Sequence, residues 1–408
     1  MSGRKVAVIG GGAAGMMAGI FASYSGDSVT IFEKNKKIGR KLYITGKGRC
    51  NVTNHCDINT VIANTPTNGR FLYSALNEFS PNDTMNFFES HGLPLKTERG
   101  NRVFPVSDKA GDVVDTLLKT ARKAGCTIVN QTVSDIVINN GAVCGVAAGK
   151  EIQHFDKVII ATGGKSYPLT GSTGDGYRFA KKAGHTVIAL KPSLVPLETV
   201  ERIDGLMDKL LLKNVAVTIF DTEKNKKIYM DFGEMQFMYY GVSGAVILSA
   251  SAHMRKRSEG RYRIAIDLKP ALNEEKLEAR LLREFSANRK NNYEYVLHSL
   301  LPKQMINFFI QMSKIPSDKS CSEITRYERQ TILNLLKHFT LTVKGFRPTE
   351  EAIVTSGGVS VREINPKTME SKLVKGLYFA GEVIDVDCYT GGFNLQAAFC
   401  TGVLAGRS

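Results

Sequence analysis

Near its amino terminus the chain reads Val6-Ala7-Val8-Ile9-Gly10-Gly11-Gly12-Ala13-Ala14-Gly15, an apolar run of strand type that leads directly into a glycine-rich turn. The turn fits the pattern GxGxxG through Gly10, Gly12 and Gly15. In this pattern the first glycine permits a tight turn, the second lets the backbone approach a pyrophosphate, and the third allows a helix to pack closely on the strand. The phosphates rest on the amino terminus of that helix. The stretch therefore predicts a dinucleotide-binding fold; the alternative is an ordinary structural turn.

A second predicted strand places an acidic residue where such folds bind a ribose. The run Ser28–Phe32 is rich in β-branched and aromatic residues and is followed by Glu33. This position is close to the separation of about 20 residues from the glycines at which an acid binds ribose hydroxyls. A carboxylate there favours an unphosphorylated adenosine ribose, so FAD or NAD fits better than NADP.

Length and composition indicate a globular protein with more than one domain. A chain of 408 residues suffices for two or three domains, and its 43% hydrophobic and 23% charged residues exclude wholesale disorder. The net charge of +15 favours an anionic partner, such as a substrate, a nucleic acid or a membrane surface. Because the sequence has no RNP, zinc-finger or KH signature, a solvated basic surface is the simpler interpretation, and nucleic acid is not excluded.

Cysteine and histidine spacing indicates neither a disulfide framework nor a metal site. The seven cysteines form an odd set without a CxxC pair, which suits a reducing compartment, and we expect a cytoplasmic protein. The seven histidines show no HExxH or other close metal-binding spacing, so no metal is predicted. No run of about 18 apolar residues occurs, so neither a membrane-spanning helix nor a membrane partner is predicted.

The pattern along the chain predicts an α/β protein with a Rossmann-like FAD-binding domain, an inserted antiparallel β-barrel and a small helical subdomain. The discontinuous Rossmann-like domain is expected at residues 1–190 and 355–408, the barrel at 191–270 and 337–354, and the helices at 271–336. The insertion is expected to cover the cofactor and to shape a substrate cavity, since such cavities form between domains. No second strand–GxGxxG–helix unit is present, because the glycines of residues 171–176 are in a different order. A dedicated nicotinamide domain is therefore not predicted.

Three further groups of residues resemble the signatures of the BaiN-type flavoproteins, a family also known as aminoacetone-oxidase-like FAD enzymes. The first contains Thr45-Gly46-Lys47-Gly48-Arg49-Cys50-Asn51-Val52-Thr53-Asn54, which is similar to the family's [ST]GxGRCNxTN segment. The others are residues 161–168 with 170–177, and residues 355–359 and 363–372 with the closing segment 376–396. The resemblance spans nearly the whole chain, and it implies an FAD-dependent oxidoreductase.

The resemblance also implies which residues contact FAD. It assigns the pyrophosphate to Gly10, Gly12, Ala13, Ala14 and Gly15; the adenosine ribose to Glu33, with Lys34 beside it; and the ribityl chain and ring to Arg40, Lys41, Gly46, Arg49, Cys50 and Asn51. It assigns the adenine to Val133, with Ala161, Thr162 and Gly163 alongside; the ribityl chain or phosphates to Gly381 and Glu382; and the pyrimidine edge of the flavin to Asn394, Leu395 and Gln396.

The last of these assignments agrees with the local sequence. Residues 395–405 are apolar and alanine-rich, as in a helix, Asn394 is a suitable N-cap, and Gly391-Gly392 would let the helix start approach a ligand. A helix amino terminus aimed at the flavin carbonyl would stabilise the anionic reduced ring. The alternative is a plain core helix with a glycine-rich entry.

Two residues of the first signature have structural alternatives. Arg49 either contacts the cofactor or is a buried cation that pairs with Glu382 or Asp385. Cys50 would lie beside the flavin, but it has no partner at CxxC spacing, so a small packed thiol is favoured over a redox role.

The catalytic residues are not identified by the sequence. At Met238-Tyr239 this chain departs from the family's usual threonine followed by histidine or aspartate, so no acid or base carries over. Three weak candidates remain: Tyr239, whose alternative is a barrel-packing aromatic; Arg102, a possible anion ligand or a surface arginine; and Tyr389. Cys388-Tyr389 is a second departure from the family, and it either faces substrate or only reshapes its loop.

The leading functional hypothesis is hydride exchange between flavin and a small organic substrate, and the net charge of +15 favours an anionic one. The family name implies NAD(P)H-linked reduction of an enone-like double bond, with the nicotinamide visiting the flavin transiently. One alternative is oxidation of an amine of the aminoacetone type, and another is a flavin-dependent protein that binds or modifies RNA. A flavin-binding protein without turnover is a further alternative, suggested by the missing acid–base residue.

Overall fold

A computed structural model describes residues 3–203, 205–254, 256 and 258–408. The chain divides into two compact units, Met1–Ser193 with Thr349–Ser408, and Leu194–Pro348. Each unit has its own hydrophobic core. Among the described residues, no helix combines the length and the apolar character that crossing a bilayer requires.

The strands of the first unit are β1 (Lys5–Ile9), β2 (Ser28–Phe32), β3 (Thr53–Asn54), β4 (Leu95–Glu98), β5 (Arg102–Pro105), β6 (Thr127–Val129), β7 (Val133–Asn139), β8 (Ala142–Ala148), β9 (Glu151–His154), β10 (Lys157–Ile160), β11 (Val187–Ser193), β18 (Val354–Val359) and β19 (Leu377–Phe379). Its helices are α1 (Ala13–Tyr24), α2 (Arg40–Ile44), α3 (Ile58–Ala63), α4 (Tyr73–Glu78), α5 (Pro81–Ser90), α6 (Ala110–Lys123), α7 (Asp175–Lys182) and α13 (Phe393–Arg407). Five of the strands form a parallel sheet with the order β19-β10-β1-β2-β6.

The two ends of the chain meet in this sheet and in the helix pair beside it. Strand β10 lies between β1 and β19, so the amino-terminal and carboxyl-terminal strands share one neighbour. Helix α13 packs closely on α1, because a Cβ on Gly402 would lie 2.4 Å from the Ala14 oxygen and one on Gly406 would lie 2.5 Å from the Ala18 oxygen. Only glycine permits this approach, in which the start of α1 lies beside the second half of α13. The start of α13 therefore extends about 12 Å beyond the start of α1, at 1.5 Å per residue.

The second unit consists of a closed antiparallel barrel and a group of helices. The barrel strands are β12 (Leu197–Thr199), β13 (Leu211–Asp221), β14 (Lys226–Met238), β15 (Gly241–Ser243), β16 (Tyr262–Asp267) and β17 (Phe339–Phe346), in the order β12-β15-β14-β13-β16-β17. The helices of the unit are α8 (Ala245–Ser251), α9 (Glu274–Ala287), α10 (Tyr293–Leu300), α11 (Ile306–Ser313) and α12 (Arg326–Lys337).

Local sequence determines where the helices of this unit begin. The side chains of Asn273, Asn292 and Thr325 accept hydrogen bonds from the first turns of α9, α10 and α12. Along β13 the residues alternate between buried and more exposed positions, as in a strand with one face on the core. The parallel sheet, the inserted barrel and the helices together confirm the predicted fold class.

Candidate cofactor site

A long cavity in the first unit opens at the carboxyl ends of β1, β2, β10 and β19. This is the edge at which parallel sheets of this kind bind nucleotides. The predicted contacts that line it are Gly10, Gly12, Ala13, Ala14, Glu33, Lys34, Arg40, Lys41, Val133, Ala161, Thr162, Gly163, Gly381, Glu382, Asn394 and Leu395. The fold therefore brings residues from both ends of the chain to one site.

The glycine-rich turn forms the floor of the cavity. Gly10 has φ +110°, and a Cβ there would lie 2.5 Å from the Ala161 oxygen, so this position requires glycine. A Cβ on Gly12 would meet no atom within 4 Å, so its backbone borders open space. Gly15 does not line the cavity; a Cβ there would lie 1.8 Å from the Gly10 oxygen, so it allows the turn to close on the helix.

The start of α1 can bind an anion. Its N-cap is Gly12, no side chain caps it, and its first turn carries no acidic residue. The first N–H groups of a helix have no partner within the helix, and the dipole makes this end positive. A pyrophosphate resting on Ala13 and Ala14 would satisfy these groups.

Glu33 is held in place by donors from two loops. Its Oε2 accepts a hydrogen bond from the Gly11 N–H at 2.9 Å, and its Oε1 accepts from the N–H and the Nδ2 of Asn35, each at 2.8 Å. An ionised carboxylate offers about four acceptor positions. The three bonds from Gly11 and Asn35 therefore leave about one position for a ribose hydroxyl.

Lys34 is engaged with the protein itself. Its Nζ lies 2.7 Å from Asp175 Oδ2 and 2.6 Å from Thr173 Oγ1. Burial alone would raise the pKa of Asp175, but the hydrogen bonds from Lys34 and Thr173 outweigh burial and lower it. Lys34 thus fastens the loop before α7 to the end of β2.

Lys41 and Glu382 form an ion pair that joins distant parts of the chain. Lys41 Nζ donates to Glu382 Oε2 at 2.7 Å and to Ser166 Oγ at 2.6 Å. Glu382 Oε1 accepts from the Thr355 N–H at 2.9 Å and from Ser166 Oγ at 3.1 Å. Ser166 and Thr355 belong to motifs in residues 161–168 and 355–359 that predicted no role for them; in the structure they orient Glu382.

The helix α13 begins differently from the prediction. Its N-cap is Gly392, which has φ +101°, and the predicted N-cap Asn394 lies inside the first turn. The Asn394 side chain instead accepts from the Cys388 N–H at 3.0 Å and donates to the Cys388 and Tyr389 oxygens at 2.8 and 3.1 Å. The capping prediction was wrong because Asn394 is used to hold the preceding loop.

This arrangement leaves the start of α13 open to a ligand. No side chain caps it, its first turn has no acidic residue, and Asn394 and Leu395 line the cavity. Gln396, which comes next, does not line the cavity, because successive helix positions turn by about 100°.

Gln396 has a structural task in the core. Its side chain is fully buried; its Oε1 accepts from the hydroxyls of Thr53 and Thr84 at 2.7 Å each, and its Nε2 donates to the Phe79 oxygen at 2.9 Å. Both acceptor positions and one of the two N–H donors of its amide are therefore used within the protein.

Four other predicted contacts also lie away from the cavity lining: Gly46, Arg49, Cys50 and Asn51. Arg49 is not a buried cation paired with Glu382 or Asp385, and that alternative was wrong. It pairs with Glu98 and with Asp108, whose Oδ1 lies 2.7 Å from Arg49 Nε, and about a third of its side chain is exposed. Its hydrogen bond lowers the pKa of Glu98.

The cysteines of the two signatures are buried. Burial raises the pKa of Cys50 to about 12, and Cys50 has no exposed surface. Burial likewise raises the pKa of Cys388 to about 12, and its Sγ lies 3.2 Å from Thr65 Oγ1. Both thiols are thus strongly biased to the neutral form, as expected for packed cysteines.

The three weak catalytic candidates do not line the cavity. Arg102 Nε donates to the Arg99 oxygen at 3.0 Å, and the Tyr389 N–H donates to the Asn64 oxygen at 2.9 Å. Tyr239, in the second unit, is 66% exposed and stacks edge-on against Tyr240. It is therefore not a packed barrel aromatic.

The cavity lining also includes Gln131, Thr132, Ile353 and Val354, which no sequence motif indicated. They directly precede Val133 and Thr355, which lie in predicted contacts or motifs, and this adjacency is the signal that could have identified them. Among the described residues, no group of three or more histidine, cysteine, aspartate or glutamate side chains is arranged to hold a metal ion.

The residues present fit FAD. Two uncapped helix starts face the cavity and could bind phosphate and flavin oxygens, and the Glu33 carboxylate, fixed by Gly11, could accept from a ribose hydroxyl. Gly12 borders open space at the start of α1, which leaves room for a pyrophosphate there.

Comparison with known proteins agrees with this interpretation. The model of the HI0933-like protein Rossmann domain matches residues 4–408. A 3-dehydro-bile acid delta(4,6)-reductase from Clostridium scindens is 32% identical, over 99% of this chain and 98% of that protein. A ribosomal RNA dihydrouridine synthase from Escherichia coli is 30% identical, over 96% of this chain and 94% of that protein, and one from Haemophilus influenzae is 31% identical over 96% and 95%.

A solved structure shows the same fold. The 3-ketosteroid delta1-dehydrogenase from Sterolibacterium denitrificans superposes with a TM-score of 0.52 at 12% identity, over all of this chain and 99% of that one. At this identity the likeness concerns the fold alone.

Proposed function

The chain belongs to the HI0933-like family of FAD-dependent oxidoreductases, and we propose that it reduces a carbon–carbon double bond conjugated with a carbonyl group. The reductant proposed for the flavin is NAD(P)H, which would visit transiently, because the sequence has only one GxGxxG unit. FAD, when bound and reduced by the nicotinamide, would supply a hydride for the carbon β to the carbonyl, and the α carbon would take up a proton.

Two kinds of relatives, a bile acid reductase and the rRNA dihydrouridine synthases, change the same type of bond, and this supports the proposed reaction. A delta(4,6)-reductase acting on a 3-dehydro-bile acid saturates double bonds conjugated with the 3-oxo group, and dihydrouridine is uridine whose C5–C6 bond, conjugated with the C4 carbonyl, has been saturated. The substrates differ greatly in size and charge, yet the bond that changes is of one kind. The relatives therefore support the type of reaction, and they leave two substrate classes to be distinguished by experiment.

The residues of the cavity have separate tasks in this proposal. The start of α1 would bind the pyrophosphate and Glu33 the ribose, so that the cofactor is fixed at its adenosine end. The uncapped start of α13 would stabilise negative charge on the reduced flavin. The Lys41–Glu382 pair, anchored by Ser166 and Thr355, would hold the segment after β19 in place.

Anaerobic half-reactions test this function. Flavin absorbance is followed after addition of NADH, NADPH or aminoacetone, and the reduced protein is then mixed with a steroid 4-en-3-one. Bleaching by a nicotinamide and reoxidation by the enone are the expected results. Bleaching by aminoacetone and by neither nicotinamide would overturn the proposal in favour of amine oxidation, and a flavin that no donor bleaches would indicate a protein without turnover.

A second candidate substrate for the same reaction is uridine within RNA. Two rRNA dihydrouridine synthases match this chain over at least 94% of their lengths, and the net charge of +15 suits a polyanion. The test is the dihydrouridine content of ribosomal RNA after incubation with the reduced protein. Turnover of the steroid enone with unchanged RNA would exclude this candidate while leaving the reductase proposal intact.

A further inference from the structure

The barrel of the second unit has an outer side whose residues differ in character from its core. Residues that point into the barrel, such as Val217, Ile219, Ile264 and Leu341, have no exposed surface. Because side chains alternate along a strand, the residues between them point outward. The pairing of the strands shows which of these outward residues lie side by side.

One outward row crosses four neighbouring strands. Lys227 of β14 pairs with Phe220 of β13, Phe220 pairs with Arg263 of β16, and Arg263 pairs with Thr342 of β17. Directly paired residues point to the same face of a sheet. The Phe220 ring, 37% exposed, is therefore flanked by exposed Lys227 on one side and by exposed Arg263 on the other.

Two further rows extend the same face along the strands. Met230, 59% exposed, is opposite Thr218, and Phe232, 50% exposed, is opposite Ala216. The short side chains of Thr218 and Ala216 leave room above the sheet beside the larger side chains of Met230 and Phe232. We call the surface formed by Phe220, Lys227, Met230, Phe232 and Arg263 the outer barrel face.

Phe220 and Phe232 are far enough apart to take two different bases. Phe232 is opposite Ala216, which lies four residues from Phe220 along β13. At about 3.4 Å per residue the two rings are separated by roughly 14 Å along the strand.

The cations of this face are not used by the protein itself. Within the part of the chain that the structure describes, neither Lys227 nor Arg263 forms a salt bridge; the one polar contact of Lys227 Nζ is Met230 Sδ, at 3.9 Å. The nearby acids are not paired with these cations. Glu201 accepts from the Thr342 N–H at 2.7 Å, Asp231 accepts from Tyr229 and the Phe232 N–H, and Asp267, opposite Ala216, pairs with Lys337. Lys227 and Arg263 are therefore available to an anionic partner.

We propose that the outer barrel face binds single-stranded RNA, and this inference rests on the RNA substrate proposed above. Proteins that bind single strands combine cations that track the phosphates with exposed aromatic rings on which bases stack. Phe220 and Phe232 supply the rings, and Lys227 and Arg263 supply the cations beside them. A small steroid or bile acid would not need a surface of this extent.

A second copy of the chain is a less suitable occupant. In a symmetric dimer the same patch meets itself, so Lys227 and Arg263 would approach their own copies. Like charges brought together in this way are unfavourable, whereas a phosphate backbone neutralises them.

Fluorescence anisotropy with a labelled oligouridine tests the proposal on the full-length, FAD-loaded protein. The double variant Phe220→Ala/Phe232→Ala is expected to bind at least roughly 30-fold more weakly, because it removes two stacked bases that contribute about 1–3 kcal/mol each. The double variant Lys227→Ala/Arg263→Ala is expected to flatten the plot of log affinity against log salt by about 1.4, since each phosphate contact on a single strand contributes about 0.7.

Matched controls come from the helices of the same unit. Tyr327, 82% exposed on α12, is the control aromatic, and Arg289 with Lys290, both exposed after α9, are the control cations. Tyr327→Ala and Arg289→Ala/Lys290→Ala are expected to bind the oligouridine as the unaltered protein does. Flavin content and the midpoint of thermal unfolding verify that every variant is folded.

The outcomes separate this inference from the proposed function. Selective weakening in the outer-face variants supports it, whether or not the RNA is reduced. Equal weakening in the control variants, or none in the outer-face variants, overturns it even if RNA is reduced, because the RNA would then bind elsewhere. Loss of self-association in the outer-face variants, measured by sedimentation with RNA binding unchanged, would also overturn it in favour of a second copy.

Discussion

Replacing Lys157 with methionine is expected to remove a pH dependence of stability that originates inside the parallel sheet. Lys157, at the first position of β10, is only 1% exposed. Its Nζ donates to the Gly406 oxygen at 3.0 Å and lies 4.4 Å from the centre of the Tyr378 ring. Burial, together with the positive charge of Arg4, lowers the pKa of Lys157 from 10.5 to about 7.

The direction of the effect follows from proton binding. Between about pH 7 and 10.5 the unfolded chain holds the Lys157 proton and the folded chain does not, so the free energy of unfolding rises with pH in this window. Below about pH 7 both states are protonated and the destabilisation is constant. One pKa unit corresponds to about 1.4 kcal/mol, so this residue should add roughly 2 kcal/mol of stability between pH 7 and pH 9.

Urea unfolding of the wild-type protein and Lys157→Met, followed by circular dichroism at pH 7 and pH 9, measures this contribution. The methionine variant should gain roughly 2 kcal/mol less than the wild type over this interval. Lys150, exposed in the turn before β9, provides the control variant Lys150→Met, whose pH dependence should follow the wild type. Equal pH dependence in wild type and Lys157→Met would refute the reasoning, because Lys157 would then keep an ordinary pKa in the folded protein.

Three further outcomes follow from the site. Gly10→Val is expected to abolish flavin retention, measured by the visible absorbance of the purified protein, because its Cβ would lie 2.5 Å from the Ala161 oxygen. Gln396→Leu is expected to lower the free energy of unfolding by roughly 3 kcal/mol in a urea titration, since it leaves several buried hydrogen-bonding groups unpaired. Cys50 is expected to resist alkylation of the native protein, measured by mass spectrometry, because burial raises its pKa to about 12.

Each of these three predictions has a control or an outcome that would contradict it. Gly92 also has a positive φ, +83°, but open space around it, so Gly92→Ala should retain flavin; loss in both variants would show that steric contact at Gly10 is not the cause. A Gln396→Leu protein that keeps its stability but loses FAD affinity would place Gln396 at the cofactor. Cys144, which is partly exposed, should be alkylated first, and earlier modification of Cys50 would contradict its burial.

The predicted contacts that the structure places on the cavity lining depend on local geometry. Gly10 and Gly12 reach the cavity with their own backbone, and Glu33 reaches it because it directly follows a strand that pairs with β1. A strand, a tight turn and a helix start follow one another within a few residues, so no distant contact is needed to define them. The charge and composition of the chain likewise need no fold to be known.

The predictions that the structure contradicted concern residues whose partners are distant in the sequence. Arg49 was expected at the flavin or beside Glu382, but the fold gives it Glu98 and Asp108, whereas Glu382 receives Lys41. Nothing in the local sequence of a charged residue specifies its partner when several opposite charges are available. That choice is made only when the strands are assembled.

The closing segment shows both kinds of information side by side. Its amino acids alone indicated a glycine-rich entry to an apolar helix, because glycine permits unusual backbone angles and alanine favours a helix. Whether Asn394 caps that helix, and whether Leu395 or Gln396 faces the cofactor, depends on how α13 is rotated against α1 and the neighbouring core. Gly402 and Gly406 allow the two helices into close contact, and this packing turns Leu395 towards the cavity and Gln396 towards Thr53 and Thr84.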